Sequence, residues 1–154
     1  MNYQQKLIEL GIELPAPAAP AGAYVPVVQT GSLLFVSGQL PTQQGQLLYT
    51  GKLGRDLDLP AGQQAARLCA INALAALHAH LGSLDRIARI VRLEVFVNSA
   101  PGFTGQAQVA NGASNFLHDL FGPAGRHTRL ALGAAELPLN AAVELALLAE
   151  SAAP

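Results

Sequence analysis

The segment Gly125-Arg126-His127-Thr128-Arg129-Leu130-Ala131-Leu132-Gly133 holds the side chain best suited to bind a small anion. Read as a strand, it sends Leu130 and Leu132 to one face and Arg129, Ala131 and Gly133 to the other. An arginine flanked by small residues on its own face has open space before its guanidinium. That group stays charged at any relevant pH and grips carboxylates through two parallel hydrogen bonds. The alternative is an exposed arginine on an edge strand. A second segment, Val143-Glu144-Leu145-Ala146-Leu147, places one carboxylate in an otherwise apolar strand. Glu144 there either pairs with Arg129 or orients a water, or it faces solvent on a half-buried sheet.

Other reactive side chains form no constellation. His78 and His80 lie two apart on a helix and point to different faces, so they do not share a metal. His118 stands near a helix end, where it suits the C-terminal dipole. His127 lies two residues before Arg129 and could approach the same site, although a structural role fits it as well. Cys69 reads as packing within a long helix. No glycine-rich phosphate loop, zinc spacing or Ser-His-Asp set is present. The expectation is a site without metal or organic cofactor.

The elements that must position these residues follow from periodicity. Residues 3–10 predict a short helix with Leu7 and Leu10 on one face, and the Pro/Ala-rich 15–22 an extended linker. Runs at Tyr24–Gln29 and Leu33–Val36 flank Thr30-Gly31-Ser32 and predict a hairpin. A weak strand follows near Leu47–Thr50. Pro60 opens a helix running to Leu81, with Leu68, Ile71, Leu74, Leu77 and Leu81 as its apolar stripe and Gly82 as its stop. Ile87–Asn98 alternates as a long strand, Val91, Leu93, Val95 and Val97 pointing one way and Arg92, Glu94 and Phe96 the other. A second helix covers roughly Thr104–Leu120. Two last strands lie near Thr128–Ala134 and Ala142–Leu148. The expected result is one α+β domain over 1–154, helices on one face of a mixed sheet, with 1–22 as an N-terminal extension.

Composition narrows the partners. The 154 residues carry a net charge of −1, only 12% are charged, and lysine occurs at Lys6 and Lys52 alone. Nucleic-acid binding draws on clustered Lys and Arg, which this chain lacks. A surface so poor in charge suggests association with other copies. A single cysteine excludes an intrachain disulfide. The N-terminus lacks the features of a signal peptide, and no apolar run is long enough for a membrane span. A cytoplasmic protein with no membrane partner is expected.

Several segments together resemble the YjgF/RidA family, some of whose members hydrolyse reactive enamines and imines. Tyr24 followed thirteen residues later by Ser37-Gly38-Gln39-Leu40-Pro41 resembles that family's N-terminal Tyr and SGQ-[IL]-P element. Asn111 in Val109-Ala110-Asn111-Gly112-Ala113 is similar to its helical Asn. Arg129, eight residues before Leu137-Pro138, is similar to its carboxylate-binding arginine. Glu144 is similar to the first Glu of its VEIE-like final strand. The resemblance spans about residues 16–149, closest to a longer branch with an N-terminal helix and an NGAS-type helix. Two positions differ: the second C-terminal Glu is Ala146, and the residue two after the arginine, often Cys or Ser, is Ala131.

The resemblance implies a chorismate-mutase-like α+β fold assembled as a homotrimer, its sheets forming a central barrel with clefts between subunits. It further implies hydrolytic deamination of enamines and imines to 2-keto acids and ammonia. Arg129 would hold the substrate carboxylate, backbone groups near Ala131 its nitrogen, and Glu144 the attacking water. Tyr24, Ser37, Gly38 and Asn111 would shape the pocket. The rival expectation is a trimeric module that binds small carboxylate metabolites without turning them over.

Overall fold

The computed structural model describes residues 2–153, so the expected domain limits at 1 and 154 lie outside the described residues. Helix α1 (Tyr3–Glu9) begins where the Asn2 side chain accepts the Gln5 N–H at 2.9 Å. It docks through Tyr3 and Leu7, with Leu10 only partly buried. The Tyr3 ring meets Phe121 edge-on at 4.5 Å. The proline-rich stretch that follows has no regular structure.

Strand β1 (Val27–Thr30) starts later than the sequence predicts. Pro26 accepts from the Ser37 N–H but has no N–H to return, so pairing begins beyond it. Gly31, at φ 59°, turns the chain into β2 (Leu33–Gln39). The expected strand at 47–50 is reduced to a miniature hairpin, β3 (Thr42–Gln43) with β4 (Gln46–Leu47). Gln44 and Gly45, both at positive φ, make its turn.

Helix α2 (Leu59–Leu81) is capped by Asp58, which accepts from the Ala61 N–H, and stops at left-handed Gly82. Its core-facing stripe keeps Leu74, Leu77 and Leu81 of the row the sequence suggests, and is completed by small residues. Ala65, Ala66, Cys69, Ala70, Ala73, Leu74 and Leu77 are buried, while Leu68 and Ile71 sit at the margin. Small side chains let the helix lie close to the sheet, and the larger ones fill the flanks.

Strand β5 (Ile87–Asn98), helix α3 (Gln106–Phe121), β6 (Thr128–Ala134) and β7 (Val143–Ser151) complete the chain. The five-stranded sheet runs β1-β2-β7-β5-β6, with β5 and β6 parallel and the other neighbours antiparallel. In β5 the inward row is Ile90, Leu93, Val95 and Val97; Val91 is only half-buried. A pairing irregularity against β7 between Ile90 and Arg92 shifts the alternation by one residue. Helices α2 and α3 cover the face that carries Leu34, Val36, Leu93, Val95, Val143, Leu145 and Leu147, giving the expected mixed α+β architecture. Among the described residues no helix is long and apolar enough to cross a membrane.

Candidate functional site

Arg129 lies on β6, the edge strand, and its side chain turns toward α3. Its Nη1 donates to Asn111 Oδ1 at 2.7 Å and to Ser114 Oγ at 3.2 Å. Asn111 and Ser114 are three residues apart, so they share one face of α3. Both protons of Nη1 are thereby engaged. The remaining edge of the guanidinium, Nε–H beside Nη2–H, has no partner among the described residues. That edge has the geometry of a two-point carboxylate clamp. Arg129 lines an open cleft of about 410 Å³ together with Ser114, His118, Arg126 and His127. The lining contains no carboxylate, so the local field favours an anion.

The local fold explains why Arg129 is held so closely to α3. A Cβ at Gly112 would overlap the backbone carbonyl of Gln63 on α2, so the two helices cross there in backbone contact. A Cβ at Gly125 would likewise meet the Leu117 carbonyl, so the turn entering β6 lies directly on α3. His127, just before β6, bonds through Nδ1 to the Gly125 carbonyl at 2.6 Å and through Nε2 to Ser114 Oγ at 3.0 Å. Burial, and to a lesser degree the Arg129 charge, lowers its pKa from the ordinary 6.5, against the opposing pull of the Gly125 carbonyl.

Glu144 belongs to a different cluster. Along β7 the side chains of Val143, Leu145 and Leu147 are buried beneath the helices, so Glu144 projects from the opposite, open face of the sheet. Its carboxylate lies against Gly38, where any side chain would overlap it. The pairing of β2 with β7 is irregular between Val36 and Gln39, which brings Gly38 to that spot. Burial raises the Glu144 carboxyl above its ordinary 4.5. Ser37 is adjacent; its Oγ donates to the Val25 carbonyl at 2.7 Å and ties down the segment after Tyr24. Tyr24 is half-exposed, and its hydroxyl accepts from the Ala21 N–H at 3.3 Å.

Within one chain the expected residues therefore form two groups. Arg129, Asn111 and Ala131 stand at the β6 edge; Tyr24, Ser37, Gly38 and Glu144 stand at the other side of the sheet. Glu144 does not pair with Arg129 in the same chain, because β5 separates their strands and their side chains leave opposite faces. Ser114 was not singled out by sequence reasoning, although its three-residue spacing from Asn111 on a helix was a usable signal. His127 is drawn into the site more fully than expected, and its two-residue spacing from Arg129 was the clue. No group of three or more His, Cys, Asp and Glu side chains among the described residues is arranged to hold a metal.

Comparison with known proteins identifies the family of the chain. The family model described as "YjgF/chorismate mutase-like, putative endoribonuclease" matches residues 4–151. Protein TCP17 of Trypanosoma cruzi is 52% identical over 145 residues, covering 94% of this chain and 91% of that protein. The crystal structure of Atu1372 from Agrobacterium tumefaciens, a protein of unknown function, superposes with a TM-score of 0.91 at 46% identity, covering 97% of this chain and 92% of that one. TdcF of E. coli, solved with bound serine, superposes with a TM-score of 0.62 at 26% identity, covering 92% and 97%. A family match across nearly the whole chain, with relatives 52% and 46% identical that cover it almost end to end, places this chain in the YjgF/chorismate-mutase-like family.

Proposed function

We propose that the chain is a cofactor-free deaminase that hydrolyses small, carboxylate-bearing enamines and imines to 2-keto acids and ammonia. The observation that carries this reading is the Nε–Nη2 edge of Arg129, without a partner among the described residues, on a side chain that lines a cleft without acidic residues. TdcF, a structural neighbour, was solved with serine, itself a small amino acid with a carboxylate. In the imine tautomer the substrate carbon is already electrophilic. Holding it beside a water and a base supplies most of what the reaction needs. Glu144 accepts a proton from water as the oxygen adds to the imine carbon, and returns that proton to the imine nitrogen to give a neutral carbinolamine. The carbinolamine hydroxyl proton then passes to the nitrogen, the C–N bond breaks, and ammonia leaves as the carbonyl forms.

Arg129 and Glu144 meet only if a second copy brings its Glu144 side of the sheet to the β6 edge of the first. The open sheet face supports such an assembly. Phe35 is 47% exposed and Leu132 44%, and Val28 and Leu130 lie exposed with them. A homotrimer with its sheets turned inward would cover this apolar area and complete the cleft with Tyr24, Ser37, Gly38 and Glu144 of a neighbour. Ala131, on the edge strand beside Arg129, offers backbone groups to the substrate nitrogen.

The test couples an amino-acid oxidase, as a source of imine, to measurement of ammonia release, beside calorimetric titration with 2-ketobutyrate. Acceleration by the parent and its loss in Arg129→Ala are expected, with affinity falling by about 30-fold or more. Arg129→Lys keeps the charge but loses the fork, and is expected to fall between the two. Carboxylate binding without acceleration would favour the non-catalytic binding module, a reading that Ala146, in place of a second Glu, keeps in view. Unchanged affinity in Arg129→Ala would defeat both.

A further inference from the structure

We propose that Ser114 and His127 are positioning residues that orient Arg129, through a hydrogen-bond chain anchored on the Gly125 carbonyl. The inference rests on the reading of Arg129 as the carboxylate clamp and adds to it how the clamp is aimed.

Each proton in the chain can be assigned. The Gly125 carbonyl only accepts, so the 2.6 Å contact requires the proton of a neutral His127 to sit on Nδ1. The Nε2 lone pair is then the acceptor in the 3.0 Å contact to Ser114 Oγ. Ser114 has one proton, and it is committed to Nε2. Its oxygen lone pairs are left to accept from Arg129 Nη1 at 3.2 Å. Asn111 Oδ1 takes the second Nη1 proton at 2.7 Å. The direction of every bond follows from the first. The half-buried imidazole, beside a guanidinium, favours the neutral form that the chain requires.

The anchor itself is rigid. Gly125 is buried and packed directly on the Leu117 carbonyl, so the accepting oxygen is fixed relative to α3. Ser114 stands on α3 and His127 immediately before β6, so the chain ties helix to strand at the point where Arg129 crosses between them. Without it, Nη1 would retain Asn111 alone, and the guanidinium could turn about that single contact. A clamp free to turn must be immobilised when ligand arrives, and affinity falls accordingly.

The experiment uses four variants of the full chain: Ser114→Ala, Ser114→Thr, His127→Ala and His127→Gln. Two readouts are taken on each, beside a thermal melt: the Kd for 2-ketobutyrate by calorimetry, and rotation of the Arg129 guanidinium by side-chain 15N NMR. Ser114→Ala and His127→Ala are expected to weaken binding by about five- to tenfold and to speed guanidinium rotation. Ser114→Thr keeps the hydroxyl, and the His127→Gln carbonyl replaces the Nε2 acceptor; both are expected within about threefold of the parent. A purely structural role would move the melt and not this pattern of rescue. Should His127→Ala fail to fold, Ser114→Ala decides, since it removes one oxygen atom. Parent-like affinity and rotation in a folded Ser114→Ala would overturn the proposal. Should the parent bind no carboxylate, the deaminase reading fails, and guanidinium rotation alone decides this one: faster in Ser114→Ala supports it, unchanged overturns it.

Discussion

Glu144 and His127 have opposite electrostatic settings. Burial raises the Glu144 carboxyl, which makes it a stronger base once ionised. In Glu144→Gln, turnover of imine is expected to drop by about 100-fold, with 2-ketobutyrate affinity within about threefold of the parent. Equal kcat would remove Glu144 from the chemistry. His127 is shifted the other way, chiefly by burial. Its unfolded form takes up a proton near 6.5, while the folded form resists it, so the unfolded state binds more protons below that value. Its contribution to stability is present above 6.5 and is lost as pH falls toward the folded value. Thermal melts from about pH 7.5 to about pH 5.5 should therefore show a shallower acid-side decline in His127→Gln than in the parent. Matching declines would show that His127 does not govern this range.

At the scale of elements, the site depends on how closely α2, α3 and the sheet approach one another. Alanine and glycine dominate the contact face of α2, and Gly112 of α3 lies directly on the Gln63 backbone. Gly112→Ala would require the helices to separate, since the obstacle is backbone and not a movable side chain. A loss of about 2–3 kcal/mol is expected, as for overpacked cores, which lowers the melting temperature by several degrees. The same displacement would move Asn111 away from Arg129, so 2-ketobutyrate affinity should fall with stability. A Gly112→Ala variant melting with the parent would show that the helices have slack at this crossing.

The whole molecule presents a sheet covered on one face only. Val28, Phe35, Leu130 and Leu132 lie exposed on the other, around the Arg92–Glu94 ion pair at 2.9 Å. In the proposed trimer these side chains pack together inside the barrel. Leu132→Glu should then convert an assembly of three 16.0 kDa chains into single chains in sedimentation velocity at neutral pH. The monomer should stay folded, because Leu132 is 44% exposed within its own chain. Imine hydrolysis should disappear with the trimer, since Glu144 of a neighbour would no longer reach Arg129. A parent that sediments as a monomer, or a trimer indifferent to Leu132→Glu, would contradict this arrangement.

The sequence by itself determined the main helices and strands, because each has a complete local signature. Pro60 and Gly82 bound α2; strict alternation marks β6 and β7; Gly31 turns the first hairpin. It also marked Arg129 as a candidate binding residue, since small neighbours on a strand face can be read without a fold. What it did not determine was shape that depends on partners far along the chain. Leu74, Leu77 and Leu81 of the leucine row are buried as expected, but the alanines that extend the buried stripe of α2, and the marginal places of Leu68 and Ile71, were decided by the approach of the sheet. The one-residue shift that buries Ile90 in place of Val91 arises from pairing with β7, some sixty residues away. Only the tertiary structure could show that Arg129 and Glu144 leave opposite faces of the sheet, because strand order, unlike alternation, is set by long-range pairing. The same holds for the chain from Gly125 through His127 and Ser114 to Arg129. Its residues are ordinary in sequence and become a unit only where α3 and β6 meet.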